Sequence, residues 1–219
     1  MIEIYTGLQI EANPDLFREL YTFRYDIAVK EMGWDLPGTS AGMDKDQFDL
    51  PDTIHIIDRS HSGGIQGVSR LNSMSGPNLL RDVFPDYCAS GRLPEFNKCL
   101  EHSRFLARRD GSSTTEYMKI LGRLLLAVHE YALHYEIPQI VSLTYMTHYN
   151  LAVRLFKARP VGLPQIYSED GNMYLAFACE VSEKGILNTR RYARIIGPQL
   201  TLSDLLKLKE DFRLNDLAA

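Results

Sequence analysis

The chain has 219 residues, 45% of them hydrophobic, and its 24 Lys and Arg stand against 28 Asp and Glu for a formal net charge of −4. That length and composition suit one globular domain, residues 1–219, with a sizeable core, and the slightly acidic balance speaks against general nucleic-acid binding, which needs a basic surface. No apolar run is long enough to span a bilayer and no basic leader precedes an apolar stretch at the N-terminus, so the expectation is a cytoplasmic protein without a membrane role, whose cysteines (Cys88, Cys99 and Cys179) are free thiols.

Ile2, Ile4 and Leu8 alternate with polar residues and predict a first strand over residues 2–9. Asn13-Pro14 marks a helix start, with Asn13 as N-cap and Pro14 at the first helical position. Leu16, Phe17, Leu20, Phe23 and Ile27 follow at helical spacing, so this helix carries Arg24 and ends near Gly33. Residues 35–52 hold Pro37, Gly38, Gly42 and Pro51 and predict a long loop, which in a compact domain is often functional. Residues 53–57 and 64–71 read as strands joined by the His61-Ser62-Gly63-Gly64 turn, and residues 74–97 as irregular. A strand over 98–107, a helix over 113–135, a strand over 140–145 and a short helix over 150–158 come next. Residues 162–168 and 172–181 read as a hairpin around Glu169-Asp170-Gly171-Asn172, and the tail as one late helix over 202–212. The order β-α-β-β-β-α-β-α-β-β predicts an α/β (α+β) fold, a mixed and mostly antiparallel central sheet flanked by helices.

Two charge clusters stand far apart in the sequence. Asp44, Asp46 and Asp49 lie in the long loop; Glu101, His102, Ser103 and Arg104 interrupt an apolar strand. Charges in a core are costly unless they pair or bind something. On a regular strand Glu101 and Ser103 share one face, and His102 and Arg104 the other. One face then presents a base and a hydroxyl to a cleft, while Arg104 is placed to hold the carboxylates of the loop. A salt bridge that merely anchors the loop to the sheet accounts for the same residues. Close carboxylates invite a hard cation, but the loop lacks the turn glycine and closing glutamate of an EF-hand, so no metal is expected. Arg24, Arg70 and Arg104 are the expected counter-charges. Trp34 and Phe84 are core aromatics or partners for a cationic ligand. The histidines show no ligand spacing, and His129 and His134 are expected on a helix surface. Arg154, Lys157 and Arg159 make the end of the 150–158 helix basic, either as a solvated face or as a surface for an acidic partner.

Four pieces are similar, in order and approximate spacing, to the acyl-homoserine-lactone synthases, the LuxI-type autoinducer synthases that make quorum-sensing signals. They are Arg24 with Gly33-Trp34; Asp44-x-Asp46-x-Phe48-Asp49; Gly67-x-x-Arg70-Leu71 with Pro77 and Asp82-x-Phe84-Pro85; and Glu101-x-Ser103-Arg104-Phe105. The resemblance covers roughly the first half of the chain. It implies a GNAT-like acyltransferase fold and an enzyme that joins S-adenosylmethionine to an acyl group from acyl carrier protein or coenzyme A. Amine acylation would precede lactone closure and release of methylthioadenosine. S-adenosylmethionine is then a substrate, and no prosthetic group is implied. The resemblance makes Glu101 the base, Ser103 a group that polarises the carbonyl or positions water, and Arg104 a holder of the substrate end and the carboxylates. It places Arg24, Trp34, Asp44, Asp46, Asp49, Arg70 and Phe84 around the substrate, Thr144 in an acyl pocket, and Arg154, Lys157 and Arg159 against acyl carrier protein. Two residues depart from the family pattern: Ala28 stands where phenylalanine is common, and Asp44 where glutamate is usual. Two other functions fit parts of the sequence. A coenzyme A-dependent N-acetyltransferase is suggested by the turn formed by Arg108, Gly111 and Ser113, which loosely matches a pyrophosphate-binding turn. A non-catalytic S-adenosylmethionine or acyl sensor is suggested by Ala28.

Overall fold

The computed structural model describes residues 1–36, 42–88, 98–109, 111, 113–166 and 171–211. The first strand, β1 (Ile2–Thr6), is shorter than expected. Thr6 and Gln9 cap each other's backbone amides and start a helix, α1 (Gly7–Glu11), so a capping box overrides the alternation. Helix α2 (Pro14–Tyr25) begins as predicted, with the Asn13 side chain accepting from Leu16 N–H. It continues as a π-helical stretch, Asp26–Glu31, and Gly33 turns the chain away at φ +71°.

The remaining strands are β2 (Ile54–Arg59), β3 (Ile65–Ser73), β4 (Cys99–Ala107), β5 (Gln139–Tyr145), β6 (Arg159–Pro160), β7 (Gln165–Ile166) and β8 (Met173–Glu180). The remaining helices are α3 (Leu79–Asp82), α4 (Thr114–His134), α5 (Met146–Phe156), α6 (Glu183–Ala193) and α7 (Leu202–Asp211). The strands form one sheet in the order β1-β2-β3-β4-β5-β8-β6, with β7 also on β8. Only β4 and β5 run parallel among the described pairs, so the mixed, mostly antiparallel sheet is as expected.

Two expectations need correction. The segment after residue 74 is not wholly irregular, since it holds α3 and a 3₁₀ turn at Pro85–Cys88; residues 89–97 lie outside the described residues. Helix α6 precedes the late helix; its buried face is only Gly185, Ile186, Thr189 and Ala193, too sparse an apolar stripe to read from sequence. Its neighbour, the hairpin, pairs Gln165 with Tyr174 and Ile166 with Met173, while turn residues 167–170 lie outside the described residues.

Each face of the sheet buries its own cluster. On one, Leu124, Ala127, Val128 and Tyr131 of α4 cover Ile54, Ile56, Leu71, Leu100 and Ile140. At Gly67 a Cβ would lie 2.8 Å from Ile120 and 2.9 Å from Leu124, which is how α4 comes so close to β3. On the other face, Leu16, Leu20, Tyr21, Phe23 and Ile27 cover Ile57, Val68 and Leu106. His129 is no surface residue: it is 2% exposed, with its ring stacked 3.7 Å from that of Phe156. His134, at the end of the same helix, is half-buried.

Burial pushes three imidazoles down, His55 and His129 to about 3 and His102 to about 4. Unfolded, each titrates near 6.5, at about the ordinary histidine value. The unfolded chain therefore binds more protons below that point. The stability these neutral histidines provide is full above about pH 6.5 and is lost as pH falls toward their folded values, on the order of 1–2 kcal/mol each by pH 5. Urea midpoints measured at pH 7 and pH 5 should fall accordingly; equal midpoints would contradict it.

At the centre the sheet opens. The β4–β5 ladder runs only from Cys99↔Gln139 to His102↔Ser142. Beyond it, β4 continues against β3 and β5 against β8. Ser103, Phe105, Ser142, Leu143, Thr144 and Tyr145 are all half-buried there, although they belong to central strands. The two strands thus part into a fork.

Candidate active site

The loop over residues 42–52 crosses the α2 face of the sheet and delivers three carboxylates to three guanidinium groups. Arg24 donates from Nε to Asp44 Oδ2 at 3.1 Å and from Nη1 to Asp49 Oδ1 at 2.6 Å. Arg70 donates from Nη1 to Asp46 Oδ1 at 2.6 Å and to Asp49 Oδ1 at 3.1 Å, and from Nε to Ser103 Oγ at 3.0 Å. Arg104 grips Asp44 through Nε at 2.8 Å and Nη2 at 3.1 Å, and reaches Asp46 at 2.9 Å. Three positive and three negative groups therefore close on one another. Burial works to raise the Asp44 and Asp49 carboxyls, but the arginines beside them outweigh it and hold both below the ordinary carboxylate range. Arg104 is lowered too, by burial and by the neighbouring Arg24 and Arg70, against the pull of Asp44 and Asp46.

Strand alternation put Arg104 on the face opposite Ser103. The structure puts both on one face. Arg70 pairs with Ser103 while Val68 pairs with Leu106, so two β4 residues, Arg104 and Phe105, oppose Ser69 alone. This β-bulge has Arg104 at φ +48°, a left-handed conformation rare for a side chain of its size. The extra residue swings the guanidinium round to the aspartates. Such backbone strain costs on the order of 1–3 kcal/mol and persists only where surroundings enforce it.

Glu101 lies two residues from Ser103 on the same face, 2% exposed. Its carboxylate accepts from Leu80 N–H at 2.6 Å and Leu79 N–H at 3.1 Å, which fixes the start of α3. Burial raises it above the ordinary range, against the lowering effect of Arg70 and the two amides. It is not the anchor of the long loop; Arg24, Arg70 and Arg104 do that.

Sequence reasoning missed the residues that lock this loop. The Thr53 hydroxyl lies 2.9 Å from Phe48 O and 2.7 Å from Asn72 Oδ1 and shares its one proton between them, and Asn72 Nδ2 donates to Phe48 O at 3.0 Å. Asn72 sits two residues past Arg70, on the same face of β3, and that spacing was the available signal. His55 was also missed; its Nε2 lies 4.0 Å from Asp49 Oδ1.

Trp34 is half-buried and donates from Nε1 to the Tyr145 hydroxyl at 3.4 Å, across to the mouth of the fork. Phe84 packs edge-on to Tyr87, 5.9 Å between centroids, in the cluster with Leu80 and Val141 on the Glu101 face. Ala28 is fully buried in the α2 cluster. Thr144 does not join the charge network: it shares the α4-side strand face with Ile140 and bonds to His148 at 3.3 Å. Arg154, Lys157 and Arg159 are all exposed, and Lys157 is also paired with Glu180 at 3.0 Å. In the turn after β4, Gly111 has φ +65° and Ser113 caps α4; residues 110 and 112 lie outside the described residues. Among the described residues no cluster could hold a metal ion and no helix is long and apolar enough to cross a membrane.

Known proteins resemble this chain in sequence and in fold. An autoinducer synthase family model matches residues 8–164. An acyl-homoserine-lactone synthase of Ralstonia nicotianae is 37% identical over 91 residues, 41% of this chain and 45% of that relative. The chain spans about half the length of the curated relatives it matches first. Among solved structures, TofI in a ternary complex with an inhibitor and MTA is 26% identical with a TM-score of 0.69, covering 85% of this chain and 96% of that one. MesI, a CoA-dependent acyl-homoserine lactone synthase, shares the fold at a TM-score of 0.79 and 24% identity over 92% of this chain and all of its own. An N-acetyltransferase from Lactobacillus plantarum shares it more distantly, at 0.54 and 15% over 83% and 99% of the two chains, which makes the fold GNAT-like. The family model takes in α2, the aspartate loop, the bulged strand and both sides of the fork, and the chain belongs to the autoinducer synthase family.

Proposed function

We propose that this protein is an acyl-homoserine-lactone synthase that uses S-adenosylmethionine and an acyl thioester. The observation that carries the reading is the neutral set of three arginines and three aspartates, closed beside Glu101 and Ser103 where β4 and β5 part. The relatives named as such synthases support it, as does TofI, whose complex holds MTA, the nucleoside this reaction would release.

The amine of S-adenosylmethionine must lose a proton before it attacks the thioester. A free α-amine titrates at about 8, so modest help suffices. Glu101 is the base in this reading, directly or through a water; its raised proton affinity suits the task. Ser103, held by Arg70, positions the carbonyl or that water. Arg104 is 7% exposed and crowded by two like charges, so a substrate carboxylate beside it is favoured. Trp34 and Phe84 would flank the cationic substrate, and the fork would seat the thioester. The carboxylate then displaces methylthioadenosine within the same molecule, a step that needs the right folded shape more than further chemistry. Both reactive centres belong to the substrates, so we assign no prosthetic group. The cytoplasm, where both substrates are made, is the site of action.

The test is direct. Purified protein with S-adenosylmethionine and a panel of acyl thioesters should release methylthioadenosine and yield lactones by mass spectrometry. Coenzyme A release with another amine, and no lactone, would favour an N-acetyltransferase instead.

For a carrier-bound donor, Arg154 and Arg159 are exposed charges on the basic end of α5 and β6, beside Lys157, which already pairs with Glu180. Arg154→Glu with Arg159→Glu should raise KM for the acyl carrier protein donor severalfold and leave kcat and the KM for a free pantetheine thioester alone. An unchanged KM for the carrier would remove this face from the docking surface.

A further inference from the structure

Helix α6 buries Gly185, Ile186, Thr189 and Ala193 and leaves its opposite face bare. Arg190 is tied to Glu130 of α4 at 2.8 Å and Asn188 to Leu155 O of α5 at 3.3 Å, which fixes how the helix is rolled. Helical spacing then runs Lys184, Leu187 and Arg191 along the middle of the outer face, and all three are exposed. The helix ends in a left-handed residue, Arg194 at φ +56°, and a second left-handed turn follows at Gly197, φ +78°. Between them Ile196 is 98% exposed, so its side chain touches almost nothing. This tip is not a frayed end: Glu130 accepts from the Gln199 and Leu200 amides just beyond it and pins it to α4. Leu187 and Tyr192 add exposed apolar surface, at 49% and 44%. Glu183 is the one acid on the helix. Among the described residues Lys184, Arg191 and Arg194 have no carboxylate partner, in a chain whose formal net charge is −4.

We propose that the outer face of α6 and the tip at Ile196 rest on an anionic lipid surface. Lys184, Arg191 and Arg194 meet the headgroup charge, Leu187 and Ile196 enter the boundary of the acyl chains, and Tyr192 keeps its hydroxyl at the wet edge. Shape decides between partners of the same charge. An acidic protein has to offer a fitted pocket to a side chain that stands clear of its neighbours, whereas fluid lipid closes around it. The chain was expected to have no membrane role because it lacks a spanning run, but a helix that lies on a surface needs none. The inference is independent of the reaction, since none of these residues belongs to the charge network or the fork.

The test is flotation of the whole chain with vesicles of phosphatidylcholine alone and of phosphatidylcholine mixed with phosphatidylglycerol. The wild-type protein should float with the mixed vesicles and stay behind with the neutral ones. Lys184→Glu with Arg191→Glu should weaken partitioning by about tenfold or more. Ile196→Ser, at a side chain with almost no contacts to lose, should weaken it severalfold. Arg18→Glu with Lys98→Glu makes the same change of charge at exposed residues elsewhere and should float like the wild type. Wild-type protein that ignores the mixed vesicles overturns the proposal, as does flotation that survives Lys184→Glu with Arg191→Glu. An equal loss in the Arg18 and Lys98 variant would trace the effect to net charge and overturn it too. Acyl carrier protein that binds the wild type, is lost with Lys184→Glu and Arg191→Glu, and has no counterpart in flotation would give this face to an acidic protein instead.

Discussion

Arg70→Ala should cost about 3–5 kcal/mol of folding stability, because it strands buried carboxylates without their counter-charge, and should abolish lactone formation. Arg70 is fully buried and is the one guanidinium that bonds to Asp46, Asp49 and Ser103 together. Its loss leaves Asp49, 0% exposed at the side chain, with Arg24 as its only close guanidinium among the described residues. Arg70→Lys should recover little, since an ammonium is a single point charge and cannot span the three acceptors. Adding Asp49→Asn to Arg70→Ala should restore part of the stability and none of the activity. Urea unfolding and lactone yield measure the two effects. A loss below about 1 kcal/mol, the scale of an exposed pair, would show that these charges do not act as a closed set.

The second large effect is at Glu101. Glu101→Ala should cut the rate by about a hundredfold or more, the contribution of a positioned general base. It should also loosen α3, because the Leu79 and Leu80 amides lose their acceptor. Hydrogen exchange at those two amides should speed up. Glu101→Gln keeps an acceptor for one of them, so it should exchange more slowly than the alanine variant while remaining as inactive. Burial raises the Glu101 carboxyl, so the wild-type rate should climb with pH through a limb above the usual glutamate value of about 4.3. The stability sign is opposite to that of the aspartates: a raised acid is ionised at a cost, so Glu101 favours the fold only below its own titration. If Glu101→Gln kept wild-type turnover and the same acid limb, Glu101 would be a cap on α3 and no base.

Much of this was readable from the chain. Hydrophobic spacing located α2, β2, β3, β4, α4 and β5, and the need of three close carboxylates for nearby cations paired Arg24, Arg70 and Arg104 with Asp44, Asp46 and Asp49. Failures had local causes. The strand over 2–9 lost its second half to the Thr6 and Gln9 cap. Alternation assigned Arg104 to the wrong face because it presumes an unbroken register, and nothing in Glu101-x-Ser103-Arg104-Phe105 announces an extra residue. His129 looked like a surface residue because polarity was weighed above its place on the buried stripe of α4. Where β4 and β5 part is a tertiary fact that no local pattern encodes.

The closed set of six charges has a consequence for how ionic strength acts. Mobile ions screen exposed charges over about 8–10 Å in ordinary buffers but reach buried groups poorly. Arg24, Asp44, Asp49 and Arg70 are out of their reach, while Arg154 and Arg159 are not. Under the proposed function with a carrier-bound donor, raising salt should therefore weaken docking at Arg154 and Arg159 long before it disturbs the closed charge set, so that the two substrates would be tuned apart by a single property of the medium.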